Sequence, residues 1–239
     1  MSYDPYAALP GGYSPNDGTI EFYGRINSLI APSMVVLDMG AGRAAWYEDD
    51  PSEYRKAVRL LKGKAAKVIA VDVDTAVLDN RSSDEQLLMV DGKIPLPDQS
   101  VDMIVSDYVL EHIVDVGLFC AEVDRVLKPG GWLCARTPHK YHFVSLMARI
   151  IKNSNHSRVL QFAQPGRKDL DVFPTAYKLN TLGDLKKNFP NYNDKSHIFR
   201  SDPSYYFGSK LFFKFLDATN RLVPSVLCGN IFVYLQKPG

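Results

Sequence analysis

Runs of apolar residues alternate along this chain with stretches of helical spacing, and most runs end at a polar or glycine-containing turn. Residues 35–37, 67–71, 86–90, 101–106 and 132–136 read as strands. The run 101–106 is almost continuously apolar, as expected of a strand covered on both faces. Residues 20–30 place Phe22, Ile26, Leu29 and Ile30 on one helical face and stop before Pro32. Residues 44–61 predict a helix broken near Pro51, with Tyr54, Val58 and Leu61 together, and 75–78 predict the first turn of another. Residues 109–127 gather Leu118, Val123, Val126 and Leu127 and are interrupted at 115–117. Lys128-Pro129-Gly130-Gly131 supplies a cation and then breakers, which should end that helix. Further on, the pattern predicts helices at 143–151, 182–189 and 209–222, and strands at 197–200 and 230–235. Residues 1–19, rich in Gly, Pro, Tyr and Asp, have no period and form an arm, either disordered or folded over a site as a lid.

Strands alternating with helices make an α/β sheet with parallel strands, and such sheets bind ligands beyond the carboxyl ends of their strands. Polar residues gather at those ends: Asp38, Asp72, Asp91, Ser106 with Asp107, and His139. After the first strand comes Gly40-Ala41-Gly42, where missing side chains allow a sharp turn and close approach of a ligand. By itself Gly40-x-Gly42-x-x-Ala45 also fits a dinucleotide fingerprint. The acidic residue of that fingerprint is expected about 20 residues later, whereas Asp72 stands much further on.

The 239 residues are enough for a sizeable core, and a hydrophobic fraction of 46% with 23% charged residues is that of a globular protein. A net charge of +1 gives no broad electrostatic reason to expect nucleic acid as a partner. Cys120, Cys134 and Cys228 are scattered among apolar residues and read as buried, reduced thiols. No Cys-x-x-Cys is present, and no metal site is expected. Without a basic-then-apolar leader or an apolar run of spanning length, the expectation is a cytoplasmic protein with no integral membrane segment.

With these residues in hand, the chain resembles the class I S-adenosylmethionine-dependent methyltransferases over residues 34–137. Leu37-Asp38-Met39-Gly40-Ala41-Gly42 is similar to the family's first motif, and Val68-Ile69-Ala70-Val71-Asp72 to its second. Asp91-Gly92 with Ile94-Pro95-Leu96-Pro97-Asp98 resembles the adenine-holding segment. Val109-Leu110-Glu111-His112-Ile113 and Arg125-Val126-Leu127-Lys128-Pro129-Gly130-Gly131 complete the set. Ala44 stands where the family often has a third glycine, and residues 46–51 look like an insertion in which packing is the default role of Trp46, Tyr47 and Glu48.

The resemblance implies one domain over 1–239 with a Rossmann-like fold: a seven-stranded, mostly parallel sheet with an antiparallel last strand and helices on both faces. The arm and first helix would occupy 1–30, the cofactor core 34–137 and the acceptor side 138–239. S-adenosyl-L-methionine would be held by Asp38, Gly40, Ala41, Gly42, Asp72, Val73, Asp91, Gly92 and Ser106. Asp72 would take the ribose hydroxyls and Asp91 the adenine amine. The bland alternatives are loop or turn carboxylates for Asp38 and Asp91 and a helix cap for Asp72, although Asp74 is the better cap.

A weaker resemblance, over 166–181, is to bacterial methyltransferases of polysaccharide gene clusters. The expected acceptor is a small molecule or glycan hydroxyl, with a lipid-linked acceptor as one form. A sugar hydroxyl needs a general base, and the candidates are His112, His139 and His142; for His112 the alternative is a structural ring beneath the adenine. Arg149, Lys152, Arg158, Arg167 and Lys168 form either a clamp for an anionic group or a solvated face. The apolar helix containing Leu211, Phe212, Phe213, Phe215 and Leu216 reads as core, with a membrane-facing surface as the alternative. The competing functions are a non-enzymatic cofactor binder and a nicotinamide-dependent oxidoreductase.

Overall fold

In the computed structural model, the described residues are 3, 5–142, 145, 174–203, 208–227 and 229–239. The helix expected at 143–151 lies outside them, as do His156, Cys228 and the basic residues at 149, 152, 158, 167 and 168.

The strands are β1 (Val35–Met39), β2 (Lys67–Asp72), β3 (Glu85–Leu88), β4 (Val101–Asp107), β5 (Leu127–Pro138), β6 (Asn193–Asp194), β7 (His197–Phe199) and β8 (Asn230–Gln236). They lie in the order β3-β2-β1-β4-β5-β8-β6, and β7 also pairs with β8. The first five pair in parallel, whereas β8 runs antiparallel to β5. The sheet therefore has one strand more than the expected seven. The extra strand is an interruption: β6 and β7 meet β8 in one continuous register, with Lys195 and Ser196 between them.

Alternate side chains fill two cores, which is why these strands need apolar residues on both faces. Val36, Val68, Met103, Val105, Cys134, Phe232 and Tyr234 pack against Phe22, Tyr23 and Ile26 of helix α1 (Gly18–Leu29). Leu37, Ile69, Ile104, Leu133, Ile231 and Val233 face Val123 and Val126 of α4 (Val116–Val126), and Leu185 of α5 (Leu182–Asn188). The insertion between β1 and β2 forms two short helices, α2 (Trp46–Asp49) and α3 (Glu53–Arg59), on either side of Pro51. The turn after β2 is only a 3-10 segment, Thr75–Asp79, capped by Asp74 Oδ1 accepting from the Ala76 N–H at 2.9 Å.

Two local expectations change. Helix α4 does end before Lys128–Gly131, with Leu127 as its C-cap, but β5 starts at Leu127, paired with Val101, and not at the expected 132. Helix α6 (Lys210–Leu222) is not wholly core, because Leu211, Phe215 and Leu222 point to solvent. Cys134 is buried and Cys120 half-buried, and both are free thiols. Among the described residues no helix is long and apolar enough to cross a membrane, and no cluster of His, Cys, Asp or Glu is arranged to hold a metal.

Candidate active site

The Gly loop is held from below by strand β2 and from the side by two polar residues. The N–H groups of Gly40 and Ala41 donate to the Val71 carbonyl at 2.8 and 3.3 Å. Gly40 has φ +73°, and a Cβ there would run into the Val109 side chain, so both conformation and packing require glycine. The Gly42 N–H donates to Asp72 Oδ2 at 2.8 Å, and the Asp74 N–H to Asp72 Oδ1 at 3.0 Å. Asn80 closes the other side: its amide donates to the Gly42 carbonyl at 2.9 Å while its Oδ1 accepts from Ser82. Ala44, with φ +53°, adopts a backbone that favours glycine.

Asp38 stands at the end of β1 beside this loop. It is half-buried, and among the described residues its carboxylate has no hydrogen-bond partner. Burial raises its pKa to about 7; Arg59 opposes the rise, and Asp107 and Asp72 add to it. The loop after β3 is a tight turn: Asp91 and Gly92 have φ +51° and +72°, and the Lys93 N–H returns to the Val90 carbonyl at 3.0 Å. Asp91 and Val73 are exposed beside the carboxyl ends of the strands, and Gly92 lies close against Leu118. Ser106 is fully buried in β4, and its Oγ has no partner among the described residues.

Beneath this rim lies a charged cluster that the sequence reading missed. Asp107 and Arg136 are register partners on β4 and β5, and the guanidinium grips the carboxylate through Nε at 2.7 Å and Nη2 at 2.8 Å. Arg59 of α3 adds a contact to Asp107 Oδ2 at 3.1 Å, and the Tyr23 hydroxyl reaches the same oxygen at 3.3 Å. Burial pushes the Asp107 carboxyl up, but the two guanidinium charges outweigh it and hold the group below the ordinary carboxylate range. Burial also raises the Tyr23 phenol far above its usual value. The same guanidiniums support aromatic walls: Arg59 lies 4.6 Å from the Trp46 ring centroid and Arg136 4.8 Å from that of Tyr108.

Those walls border a cleft of about 530 Å³ whose lining includes Tyr6, Trp46, Asp49, Tyr108, Arg136 and Asn230. The N-terminal arm folds over this region. Ser14 and Asn16 bond Asp202, and Tyr6 meets Phe213 at 6.2 Å between ring centroids. The described part of the arm thus contacts residues of the cleft wall and of the helix beside it.

The three histidines have different surroundings. His112 Nδ1 lies 2.8 Å from the Pro174 carbonyl, which can only accept, so Nδ1 carries the hydrogen and Nε2 the basic lone pair. Buried His139 accepts from the Tyr141 N–H at 3.2 Å through Nδ1 and also bonds the Val226 backbone; burial holds its pKa down. Burial, with His139 alongside, lowers His142 to about 4. Adjacent Glu111 accepts from Thr137 Oγ1 at 2.8 Å, and Asn180 donates to that same oxygen at 2.6 Å. This clip ties the turn after β4 and the end of β5 to the segment before α5. None of the described residues lining the cleft is a histidine.

Comparison with known proteins places this geometry. A methyltransferase domain family matches residues 53–135. A Mycobacterium tuberculosis protein described as an S-adenosylmethionine-dependent methyltransferase is 41% identical over 83 residues, covering 33% of this chain and 30% of the relative. The malonyl-acyl-carrier-protein O-methyltransferase of Yersinia pestis is 38% identical over 101 residues, covering 41% of this chain and 34% of the enzyme. The chain thus spans about a third of the length of these relatives. Among solved structures, an S-adenosylmethionine-dependent methyltransferase from Archaeoglobus fulgidus superposes with a TM-score of 0.54 at 14% identity, covering 92% of this chain and 95% of the other. The cyclase SpnF superposes with 0.56 at 13% identity, covering 100% of this chain and 88% of the other. These last two likenesses speak to the fold.

Proposed function

We propose that this chain, whose core is that of the class I S-adenosylmethionine-dependent methyltransferases, transfers a methyl group to a hydroxyl of a small molecule or glycan. The observation that carries the reading is Asp38, a half-buried carboxylate without a hydrogen-bond partner among the described residues, near Asp72 and Asp107 at neighbouring strand ends and sharing the cation Arg59 with Asp107. Such a group is costly without a counter-charge. S-adenosylmethionine supplies an electrophilic methyl on a sulfonium and brings an ammonium that fits this place. Asp38 then pairs the ammonium, Asp72 offers its remaining lone pairs to the ribose, and exposed Asp91 accepts from the adenine. Gly40 to Gly42, Val73, Gly92 and Ser106 line or back the same site.

The cleft beside Trp46 and Tyr108 is the proposed acceptor site. Rings interleaved with Asp49, Asp202 and Asn230 can stack on the apolar face of a sugar and hydrogen-bond its hydroxyls. The named acceptors of relatives, a malonyl carrier protein and demethylmenaquinone, are of other classes, so the glycan reading rests on this lining. Of the three histidines, His112 is the proposed base on its hydrogen-bond state and not on its place in the cleft lining: the Pro174 carbonyl accepts from Nδ1–H, which in the neutral ring leaves the lone pair on Nε2. His139, with both ring nitrogens engaged, fits a positioning role, and His142 remains neutral at physiological pH. The free thiols suit a cytoplasmic enzyme.

Titration calorimetry tests the cofactor. S-adenosylmethionine and S-adenosylhomocysteine should both bind, with Asp38→Asn weakened, and binding of NAD alone overturns the proposal. Incubation of labelled cofactor with candidate sugars and lipid-linked sugars then tests transfer. The second reading is a protein that binds the cofactor without transferring its methyl. Tight binding with no transfer to any acceptor supports that reading.

A further inference from the structure

Helix α6 presents two unlike faces. The inner face carries Phe213, whose ring meets Tyr3 and Tyr6 of the arm, and Asn220, whose amide donates to the Ser201 carbonyl at 3.0 Å. On the outer face, Leu211, Phe215 and Leu222 recur at spacings of four and seven and so share one stripe. They are 83%, 61% and 86% exposed. Val226 and Leu227, in the turn after the helix, prolong the apolar surface. Lys210 and Lys214 are exposed at the start of the same helix.

We propose that this face of α6 docks on an anionic phospholipid surface. The stripe has the width of one helix and is bordered by exposed Lys214 and, at its N-terminal end, by Lys210, whose ammonium lies 5.8 Å from the Tyr3 ring centroid. The charge pattern points the same way. The positive end of a helix dipole is normally met by acidic side chains, yet the first turn of α6 has none and carries Lys210 instead. Anionic headgroups supply that missing counter-charge as the leucines and phenylalanine leave water.

The docked helix is tied to the cleft. Arg200 donates to the carbonyls of Asn220 and Val223 at 2.5 and 2.9 Å, fixing the C-terminal end of α6 to the chain that continues into Ser201 and Asp202 of the cleft wall. An acceptor carried on a lipid is then presented where methyl transfer is proposed; this last step rests on the proposed function, whereas the docking does not.

Co-sedimentation of the full chain with vesicles tests the docking without cofactor or acceptor, so either proposal can fail alone. Binding should be seen with phosphatidylglycerol-containing vesicles, exceed that to pure phosphatidylcholine and weaken with salt. Leu211→Asp with Phe215→Asp, both exposed and checked for folding by circular dichroism, should lose at least about tenfold in affinity. Lys210→Glu with Lys214→Glu should lose the preference for anionic lipid. Equal sedimentation without vesicles, undiminished binding by the Asp variant, or a dimer that this variant abolishes each overturns the proposal, the last in favour of a second copy as occupant.

Discussion

The backbone N–H of Gly42 donates to the carboxylate of Asp72 at 2.8 Å, across 30 residues of sequence. The carboxylate proposed to receive the ribose therefore also fixes the loop proposed to back the methionine part of the cofactor. Asp72→Ala should lose both functions, weakening S-adenosylmethionine by more than about tenfold in calorimetry. Asp72→Asn keeps its size and one acceptor and should lose less. Unchanged affinity in the Ala variant removes the ribose assignment.

Asp38, as the proposed partner of the cofactor ammonium, should make cofactor affinity depend on pH. With a pKa near 7 in the free protein, about half of the molecules hold a proton there at neutrality. A bound ammonium favours the ionised form, so binding releases a proton, and affinity should fall about tenfold per pH unit well below that value. Stability moves the other way. The folded-state pKa lies above that of the unfolded chain, so this contribution is complete at acid pH and disappears as pH rises through about 7. Asp38→Asn should flatten the affinity profile and raise the melting temperature of the unliganded protein above pH 7.

The Asp107 and Arg136 pair is buried on both sides. Arg136→Met leaves Asp107 with Arg59 and Tyr23 alone, and removal of one partner from such a pair costs about 3–5 kcal/mol. Urea unfolding should register that loss. A change below about 1 kcal/mol is incompatible with the pair as described.

Trp46 reports on the acceptor alone. Its ring lines the proposed acceptor cleft, with Arg59 4.6 Å from the ring centroid. Trp46→Ala should raise the acceptor KM several-fold while leaving the Kd for S-adenosylmethionine unchanged. An equal loss of both would place Trp46 in the cofactor site instead.

His112→Ala separates a base from a prop. Loss of a general base typically removes about 10²–10⁴ of rate, with cofactor affinity retained. A parallel fall in cofactor affinity assigns the ring to packing beneath the adenine.

Much of the loop geometry at the strand ends is legible because its signals are local. Gly40 and Gly42 sit in a short motif, Asp74 caps the turn that immediately follows it, and Asp91-Gly92 is a dipeptide with its own turn chemistry. Arg136 was not legible: it looks like the polar end of a strand until β4 and β5 are placed in register, which puts it opposite Asp107. Arg59 and Asn80 act across the fold on Asp107 and Gly42, and no spacing rule announces either contact. The partner of His139 at Val226 is equally remote in sequence. Helix α6 reads as core from its apolar content alone, and the outward direction of Leu211, Phe215 and Leu222 is set by where the fold places the helix.

The interruption between β6 and β7 has a consequence for solubility. At that point the Tyr234 N–H of β8 donates to the Ser196 hydroxyl at 3.2 Å, while the Lys195 N–H still reaches the Tyr234 carbonyl at 2.9 Å. The inner neighbour is thus satisfied, but the outer rim is split into pieces of two and three residues. A foreign strand seeking a ladder along this rim meets two short stubs instead of a continuous row of donors and acceptors, which disfavours edge-to-edge aggregation.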